Sequence, residues 1–237
     1  MSEFEKSQWA DSQFSYNYRD EADIYLPFRG LFFQITISLY SKFVSKRPNV
    51  KILDIGCGDG LFIQELLKSN SPASVTLIDG SSEMLEAAKV RLGNDEKLDF
   101  INASFQDLLT GDLLNDQFDF IYSSLAIHHL TFDEKKRLYY YIYNILSPNG
   151  CFANYDIILP STEKLEQLYL KLWKEWIKGH PLKKNEEMEK IPELSKDNPD
   201  DIPDTLESQM DILKEIGFKS VDCYFKYSVF SLFGGFK

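Results

Sequence analysis

Residues 52–60 read ILDIGCGDG, a run of strand-forming residues followed at once by Gly56, Gly58 and Gly60. Glycines in this position let the backbone turn tightly, or let a ligand approach where a Cβ atom would be in the way. From about residue 50 to residue 158, short β-rich runs alternate with amphipathic helical ones. Strands separated by helices of this length imply right-handed crossovers and a parallel sheet that is covered on both faces.

The alternation divides into individual elements. Strands are predicted at residues 51–55, 74–79, 98–102, 118–123 and 151–158, and helices at residues 61–68, 81–92 and 132–146, the last ending in the turn Ser147-Pro148-Asn149-Gly150. Further helices are predicted at residues 162–178 and 206–217, the second closed by Gly217, and two strands, as an antiparallel pair, within residues 218–237. Residues 179–205 are rich in proline and charge, which predicts a mobile loop or loosely held short helices.

Composition and charge narrow the class of partner. The 237 residues include 37 acidic and 26 basic side chains, for a net charge of -11. Nucleic acids and anionic membranes attract basic surfaces, so this balance favours a small-molecule or protein partner over either of them. Cys57, Cys151 and Cys223 lack the spacing of a metal site, which predicts no metal and reduced thiols in a cytoplasmic protein. The N-terminus lacks a signal-peptide pattern, and residues 31–40, the most apolar stretch, are too short for a membrane span.

Asp79 ends the second predicted strand, 25 residues after Asp54. A carboxylate at that place can accept hydrogen bonds from both hydroxyls of a ribose, beside the glycine loop of the first strand. The dinucleotide fingerprint requires a third glycine at position 61, where this chain has Leu61, so a nicotinamide-dependent oxidoreductase is disfavoured. The loop and Asp79 together predict a nucleoside-containing ligand. The alternatives are a purely structural glycine turn and a helix-capping role for Asp79, since Ser81 and Ser82 follow it.

Three motifs, LDIGCGDG, LIDGSSEMLEAAK and FDFIYSSLAIHHL, occur in this order and resemble the class I S-adenosylmethionine-dependent methyltransferases. The similarity covers roughly residues 50–158, and the ending DILKEIGFKSVDCYFKYSVFSLFGGFK is similar to the same family. The resemblance implies an α/β fold: a doubly wound, Rossmann-like, mostly parallel seven-stranded sheet with its last strand antiparallel and a helical cap. It also implies an enzyme that transfers a methyl group from S-adenosyl-L-methionine to a small-molecule acceptor by in-line displacement. Residues 1–45 would form an N-terminal helical lid and residues 46–237 the methyltransferase domain, with a cap insertion at about 160–205.

The resemblance assigns the cofactor contacts residue by residue. Asp54 and the backbone of Gly56, Cys57 and Gly58 would hold the methionine end, Asp79 with the adjacent Gly80 the ribose, Met84 would pack near the adenine, and Ser123 and Ser124 would face the methionine portion. Family members often have an acidic residue after the third strand that accepts the adenine amino group. This chain has Ser104 there, which can still accept that hydrogen bond, and the backbone N–H of Phe105 can still reach a ring nitrogen.

The acceptor is expected beside the segment SSLAIHHL, at the mouth of the sheet. His128 is the preferred candidate base, because imidazole titrates near neutral pH and a base is needed where the acceptor must lose a proton. The alternative is that the two histidines are structural, and His129 is expected to pack or to hydrogen-bond the backbone.

Aromatic residues flank this region at both ends of the chain. The resemblance implies a lid over the cofactor formed by Tyr16, Tyr18, Arg19 and Tyr25, with Tyr18 in contact with the cofactor. Aromatic faces also stabilise a sulfonium cation. Trp173 and Trp176 lie on one face of their predicted helix, where they either line an apolar acceptor pocket or form its core face.

Two alternatives to methyl transfer stay open. The C-terminal architecture is also similar to the carboxy-S-adenosylmethionine synthases of tRNA wobble modification, which hold the extra carboxylate with an arginine in the cap. No arginine follows Arg137, and the corresponding region PELSKDNPDD has none, so that reaction ranks low. The other alternative is a non-catalytic protein that senses or stores S-adenosylmethionine. The sequence leaves the oligomeric state open, with a homodimer as one option.

Overall fold

The computed structural model of this chain describes residues 21–110, 113–114 and 116–237. Its strands are β1 Lys51–Ile55, β2 Ser74–Asp79, β3 Leu98–Asn102, β4 Phe118–Ser124, β5 Leu146–Ile157, β6 Lys219–Tyr227 and β7 Phe230–Phe236. They form one sheet in the order β3-β2-β1-β4-β5-β7-β6. Strands β1 to β5 pair in parallel, whereas β7 runs antiparallel to both of its neighbours, β5 and β6. The predicted doubly wound, mostly parallel seven-stranded sheet is confirmed.

Helices lie on both faces of this sheet. They are α1 Arg29–Phe43, α2 Leu61–Leu67, α3 Ser82–Leu92, α4 Phe105–Leu108, α5 Phe132–Ile145, α6 Glu163–Gly179, α7 Ile191–Lys196 and α8 Leu206–Ile216. One core cluster joins α1, α2 and α6 to the sheet, and a second joins α4, α5 and α8 to its other side. Because successive strand residues point to opposite faces, the neighbours Ile52 and Leu53 belong to different clusters. Among the described helices, none is both long and apolar enough to cross a bilayer.

The structure differs from the sequence prediction after α5. Residues 147–150, predicted as a turn, belong to β5. The pairing of β5 with β4 accommodates them by a register shift between Phe118 and Phe120, and Asn149 takes a left-handed φ of 57°. The Asn149 N–H also donates to the carbonyl of Lys237 at 3.1 Å. The local turn signal therefore persists as an irregularity inside β5, because residues 147–150 stand between the β4-paired positions Leu146 and Cys151.

The chain between α6 and α8 forms short helices, which confirms one of the two predictions for residues 179–205. A 3-10 turn stands at Glu186–Lys190 and leads directly into α7. The side chain of Asn185 caps the turn by accepting a hydrogen bond from the Met188 N–H at 3.2 Å. Met188 is buried against the core, so this cap is packed on the domain through an apolar contact.

Trp173 and Trp176 of α6 form hydrogen bonds with the backbone just before α1. The Trp173 indole N–H donates to the Tyr25 carbonyl at 2.5 Å, and the Trp176 indole N–H donates to the Ile24 carbonyl at 3.2 Å. Neither tryptophan lines the cavity described below, so the core-face interpretation is confirmed and the acceptor-pocket interpretation is wrong. Three predicted lid residues lie outside the described residues: Tyr16, Tyr18 and Arg19.

Candidate active site

A cavity of about 370 Å³ lies at the carboxyl ends of β1, β2 and β4. Its wall combines the glycine loop after β1, the end of β2, the segments after β3 and β4, and part of the chain between α7 and α8. Its polar lining residues include Asp79, Ser104, Gln106, Ser124, His129, Thr131, Glu134 and Asp200. In doubly wound sheets ligands bind beyond the carboxyl ends of the strands, so this cavity is the candidate active site.

The three glycines after β1 take the left-handed backbone conformation, with φ of 68° at Gly56, 54° at Gly58 and 72° at Gly60. A Cβ atom at Gly56 would lie 2.5 Å from the Cβ of Ala126, in the segment after β4. The absence of a side chain at Gly56 therefore lets the loop pack against that segment. Gly58 lines the cavity, and no heavy atom lies within 4 Å of its ideal Cβ position.

The N–H groups of this loop are used inside the protein. Gly56 and Cys57 both donate to the Ile78 carbonyl, at 2.8 Å and 3.0 Å. Gly58 donates to Asp79 Oδ2 at 2.8 Å. A ligand that the loop backbone holds would therefore meet carbonyl groups rather than N–H groups, which suits a hydrogen-bond donor such as an ammonium.

Asp79 ends β2 and lines the cavity. Its Oδ2 accepts the hydrogen bond from Gly58, and its Oδ1 accepts one from the Ser81 N–H at 2.8 Å. Burial raises the pKa of Asp79 to about 6, although these two hydrogen bonds oppose the rise. Ser81 caps α3 by accepting from the Met84 N–H, so the alternative capping role for Asp79 is wrong. Each carboxylate oxygen keeps a further lone pair for a ligand hydroxyl.

Asp54, in β1, is a buried carboxyl without a partner. It is 1% exposed, and neither oxygen has a hydrogen-bond partner among the described residues. Burial, with the charge of Asp79 as a second cause, raises the pKa of Asp54 well above its usual range. Asp54 stands directly before Ile55 and Gly56, which line the cavity. Because buried polar groups are normally satisfied, this carboxyl indicates where a ligand donor belongs.

Other predicted cofactor residues also line the cavity: Gly80, Met84, Ser104, Phe105 and Ser124. The Ser104 side chain caps α4 by accepting from the Asp107 N–H at 3.2 Å, and its hydroxyl donates to the Asp107 carboxylate at 2.7 Å. Ser104 therefore has one remaining lone pair to offer a ligand. The prediction that Ser123 faces the cofactor is not supported. Its buried hydroxyl donates to the Ile55 carbonyl at 2.8 Å, and Ser123 does not line the cavity.

The two histidines after β4 lie in surroundings opposite to those that the sequence predicted. His128 is buried, with Nδ1 2.6 Å from Asp156 Oδ1 and Nε2 3.5 Å from Asp201 Oδ1. Burial alone would lower its pKa, but the two carboxylates outweigh burial and raise the pKa of His128 to about 9. A protonated imidazole cannot accept a proton, so the structure does not support His128 as the base. His129 lines the cavity, donates from Nδ1 to the Asp200 carbonyl, and has its pKa lowered to about 4 by burial and by His128.

The geometry agrees with a comparison to known protein families. Residues 52–150 match a family model that is described as a methyltransferase domain. The chain carries a class I S-adenosylmethionine-dependent methyltransferase domain at these residues. The match begins in β1 and ends in β5, so it includes the glycine loop, Asp79 and both histidines.

Relatives of this methyltransferase domain differ in the reactions that their names state. The chain is 25% identical over 213 residues to carboxy-S-adenosyl-L-methionine synthase of Nautilia profundicola, which covers 90% of this chain and 87% of that protein. It is 31% identical over 107 residues to malonyl-acyl-carrier-protein O-methyltransferase 1 of Ilyobacter polytropus, covering 45% of this chain and 38% of that protein. An O-methyltransferase family protein from Burkholderia thailandensis shares the fold, with a TM-score of 0.66 at 12% identity, covering 98% of this chain and 62% of that one. The chain spans less than two thirds of the last two proteins.

One wall of the cavity lies outside the region that matches the family model. We call residues 198–205, between α7 and α8, the strap. Its Pro199, Asp200 and Ile202 line the cavity of the methyltransferase domain. The sequence predicted no role for these residues in the site, because nothing distinguishes them from the rest of a charged, proline-rich segment. Their position follows from the return of the chain to the sheet, where Thr205 forms a bridge with Leu159.

The strap is fastened to the domain by backbone and charged contacts. The Ile202 N–H donates to the His128 carbonyl at 2.8 Å, and the Leu159 N–H donates to the Asp204 carbonyl at 2.9 Å. Lys135 of α5 is buried, and its ammonium donates to the Ile202 carbonyl and, at 2.6 Å, to Asp204 Oδ2. The strap is therefore an anchored part of the cavity wall.

Replacing Lys135 with methionine is expected to loosen the strap, because Asp204 loses its cation while the apolar stem is kept. Breaking a buried ion pair costs several kcal/mol; the side chain of Asp204 is 23% exposed, so we expect the free energy of unfolding to fall by about 1–2 kcal/mol. Hydrogen exchange in the strap should accelerate more than exchange in the central strands. In Lys136→Met, which removes an exposed cation, both quantities should stay near the wild-type values. Equal exchange in the two variants would show that Lys135 does not hold the strap.

Proposed function

We propose that this chain transfers a methyl group from S-adenosylmethionine to a small acceptor that is neutral or cationic. The observation that carries the proposal is the composition of the single cavity described above. The wall formed at the ends of β1, β2 and β3, which we call the inner end, contains Asp79, and the unpartnered Asp54 directly precedes its lining residue Ile55. The described lining of the cavity contains no lysine or arginine. The inner end suits the cofactor, and the lack of basic residues restricts the acceptor.

The residues at the inner end fit S-adenosylmethionine. The unpartnered carboxylate of Asp54 matches an ammonium donor, and Asp79 matches the two ribose hydroxyls. Met84, Phe105 and Leu108 supply an apolar surface for the adenine ring. When bound, S-adenosylmethionine supplies an electrophilic methyl group on a sulfonium. The task of the chain is then to hold the acceptor in line with that group.

The wall formed by the segment after β4, the start of α5 and the strap, which we call the outer end, suits an acceptor without negative charge. Leu125, Leu130 and Ile202 make this part of the wall apolar. Burial alone would raise the pKa of Glu134, but hydrogen bonds from Thr131 outweigh it and lower the pKa, so Glu134 is ionised at neutral pH. A carboxylate in the wall attracts an amine and repels an acidic substrate.

His129 replaces His128 as the candidate base for an acceptor that must lose a proton. It lines the cavity beside Leu130 and Asp200. Its lowered pKa keeps the ring neutral at pH 7, and a neutral imidazole can accept a proton. His129→Gln should therefore lower the turnover of such an acceptor much more than the affinity for the cofactor.

Formation of a carboxylated S-adenosylmethionine is a second candidate, favoured by the 25% identity to a carboxy-S-adenosyl-L-methionine synthase over most of both chains. A carboxylate needs a cationic partner, best supplied by a bidentate arginine. The described cavity wall has no such group, and Glu134 adds negative charge to it. These features fit methyl transfer better. Mass spectrometry of ligands that co-purify with the protein would separate the two, because the carboxylated cofactor is heavier by one carboxyl group.

The affinity for S-adenosylmethionine is expected to rise with pH between about pH 5 and pH 7, because the ribose hydroxyls donate to the ionised carboxylate of Asp79. The pKa of this group is raised from 3.8 to about 6 in the folded protein. A raised carboxyl pKa makes the ligand-free protein less stable as pH rises from about 4, the ordinary pKa, to about 6, the pKa in the folded protein. Asp79→Asn should reduce both pH dependences and leave the part that Asp54 contributes, which calorimetric titration and thermal unfolding at several pH values would measure. An unchanged pH profile in the variant would assign the dependence to another group.

Isothermal titration of the purified protein with S-adenosylmethionine, S-adenosylhomocysteine and NAD tests the proposal, together with Asp79→Ala. We expect micromolar binding of the two sulfur ligands, weakened by at least about tenfold in the variant, and no binding of NAD. Binding of NAD alone, or of no ligand, would overturn the proposal. Intact binding without turnover on a panel of amines, phenols and thiols would favour a non-catalytic S-adenosylmethionine-binding protein.

A further inference from the structure

We propose that His128, His129 and Asp201 form a binding site for one divalent first-row transition-metal ion, with Zn²⁺ as the first choice. One ring nitrogen from each histidine and a carboxylate oxygen all lie within 4.8 Å of one another. Asp201 Oδ1 is 3.5 Å from His128 Nε2 and 3.3 Å from His129 Nδ1. In a tetrahedral Zn²⁺ site with bonds of about 2.0 Å, neighbouring ligand atoms are about 3.3 Å apart. Two of the three distances between ligand atoms are thus close to those of a tetrahedral site, and a small rotation of the rings would complete it.

The surroundings of His128 support the same assignment. Metal-binding histidines usually donate their other ring N–H to a carboxylate, which fixes the ring and increases its basicity. Here His128 Nδ1 lies 2.6 Å from Asp156 Oδ1, and the opposite nitrogen, Nε2, points at Asp201. Asp156 is itself 1% exposed and held by the Ile157 N–H at 3.0 Å. The ring is therefore oriented with Nε2 toward the proposed metal position.

A salt bridge between a protonated His128 and Asp201 is the competing explanation. It accounts for the short distance to Asp156 and for the attachment of the strap. It leaves unexplained why His129 brings a second imidazole to the same carboxylate oxygen, with the two ring centroids 4.0 Å apart. Two imidazoles and one carboxylate are a common ligand set for Zn²⁺ and Fe²⁺. Binding through His129 Nδ1 would release that nitrogen from the Asp200 carbonyl. The ring would then carry its proton on Nε2, so the ion would replace His129 as the group that promotes loss of the acceptor proton.

The position of the three side chains beside the cavity would let such an ion bind the acceptor. His129 lines the cavity, so an open coordination position on that side would face the acceptor. This step rests on the proposed function, whereas metal binding itself does not. An acceptor hydroxyl on the ion would release its proton to solvent, because a bound cation lowers the pKa of the hydroxyl. The oxygen would then bond to the methyl carbon as the carbon–sulfur bond breaks, with its electron pair passing to sulfur.

The test is a titration of the full, metal-stripped protein with Co²⁺ and Zn²⁺ alone. We expect one equivalent to bind with micromolar affinity and Co²⁺ to show the visible absorption of a four-coordinate nitrogen and oxygen site. His129→Gln and Asp201→Asn should each weaken binding by at least about tenfold. The matched control is Asp197→Asn, which makes the same change of charge at an exposed position near the strap and should bind metal like the wild type. Circular dichroism would show that each variant is folded.

Three outcomes would overturn the proposal. The first is no stoichiometric binding, and the second is equal affinity in Asp201→Asn, Asp197→Asn and the wild type. The third is a sulfur-to-cobalt charge-transfer band, because it would place the metal on Cys57 or Cys223 instead. Titration of the same samples with S-adenosylmethionine separates this proposal from the proposed function, since either binding event can fail while the other is retained.

Discussion

Replacing Asp54 with asparagine is expected to stabilise the ligand-free protein and to weaken its affinity for S-adenosylmethionine at the same time. The Asp54 carboxyl is buried without a partner among the described residues, and its pKa is raised well above the usual range. A carboxyl whose pKa is raised on folding makes the protein less stable as pH rises above about 4. Asparagine has no charge to desolvate, so we expect a gain of about 1 kcal/mol at neutral pH. Loss of a charged hydrogen bond to the ligand should weaken binding by about tenfold to a hundredfold.

Thermal unfolding and isothermal titration of the same samples would measure both effects. The matched control is Asp119→Asn, because Asp119 is a partnered carboxylate in the neighbouring strand β4. It accepts hydrogen bonds from the Ser147 hydroxyl at 2.7 Å and from the Lys51 N–H at 3.0 Å, and it faces Arg47. This variant should lose stability and keep its ligand affinity. An Asp54→Asn protein that is less stable than the wild type and binds equally well would show that Asp54 has a structural role only.

The first three strands were the most predictable part of the fold. The bounds of β1, β2 and β3 match the predicted residues 51–55, 74–79 and 98–102. These segments are short β-rich runs, each bounded by clear turn or helix signals, so the local sequence suffices to locate them. The turn predicted at residues 147–150 is an irregularity inside β5, and the start of that strand at Leu146 depends on pairing with β4, which the local sequence does not show.

Two parts of the cavity wall also differed in how well the sequence predicted them. The glycine loop and Asp79 were predicted to lie together because they are local motifs at the ends of adjacent strands, and both line the cavity. The contribution of the strap could not be predicted, since it depends on contacts with residues far away in the sequence, among them His128 and Lys135. Which of the two histidines lines the cavity depends on the 3-10 turn Ile127–His129. This turn directs the His128 ring toward Asp156 and the His129 ring toward the cavity. Adjacent identical residues give no sequence signal for such a choice.

Replacing Gly56 with alanine is expected to damage both stability and ligand binding. Gly56 has a φ of 68°, and its added Cβ would lie 2.5 Å from the Cβ of Ala126. The left-handed conformation costs an alanine about 1–2 kcal/mol, and forcing the two segments apart costs about 1–3 kcal/mol more. We expect the free energy of unfolding to fall by about 3 kcal/mol in total. Because the loop and the segment after β4 both line the cavity, affinity for S-adenosylmethionine should fall by about a hundredfold.

Two further variants separate the cost of the left-handed backbone conformation from the cost of the close contact with Ala126. Gly58→Ala has a similar left-handed φ of 54° but no heavy atom within 4 Å of its Cβ position, so its stability should show the strain alone. The double variant Gly56→Ala, Ala126→Gly removes the colliding methyl group and should return stability to near the level of Gly58→Ala. This double-mutant cycle predicts a favourable coupling of about 1–3 kcal/mol between the two positions. If the double variant were no more stable than Gly56→Ala, the close contact with the segment after β4 would not be what requires glycine there.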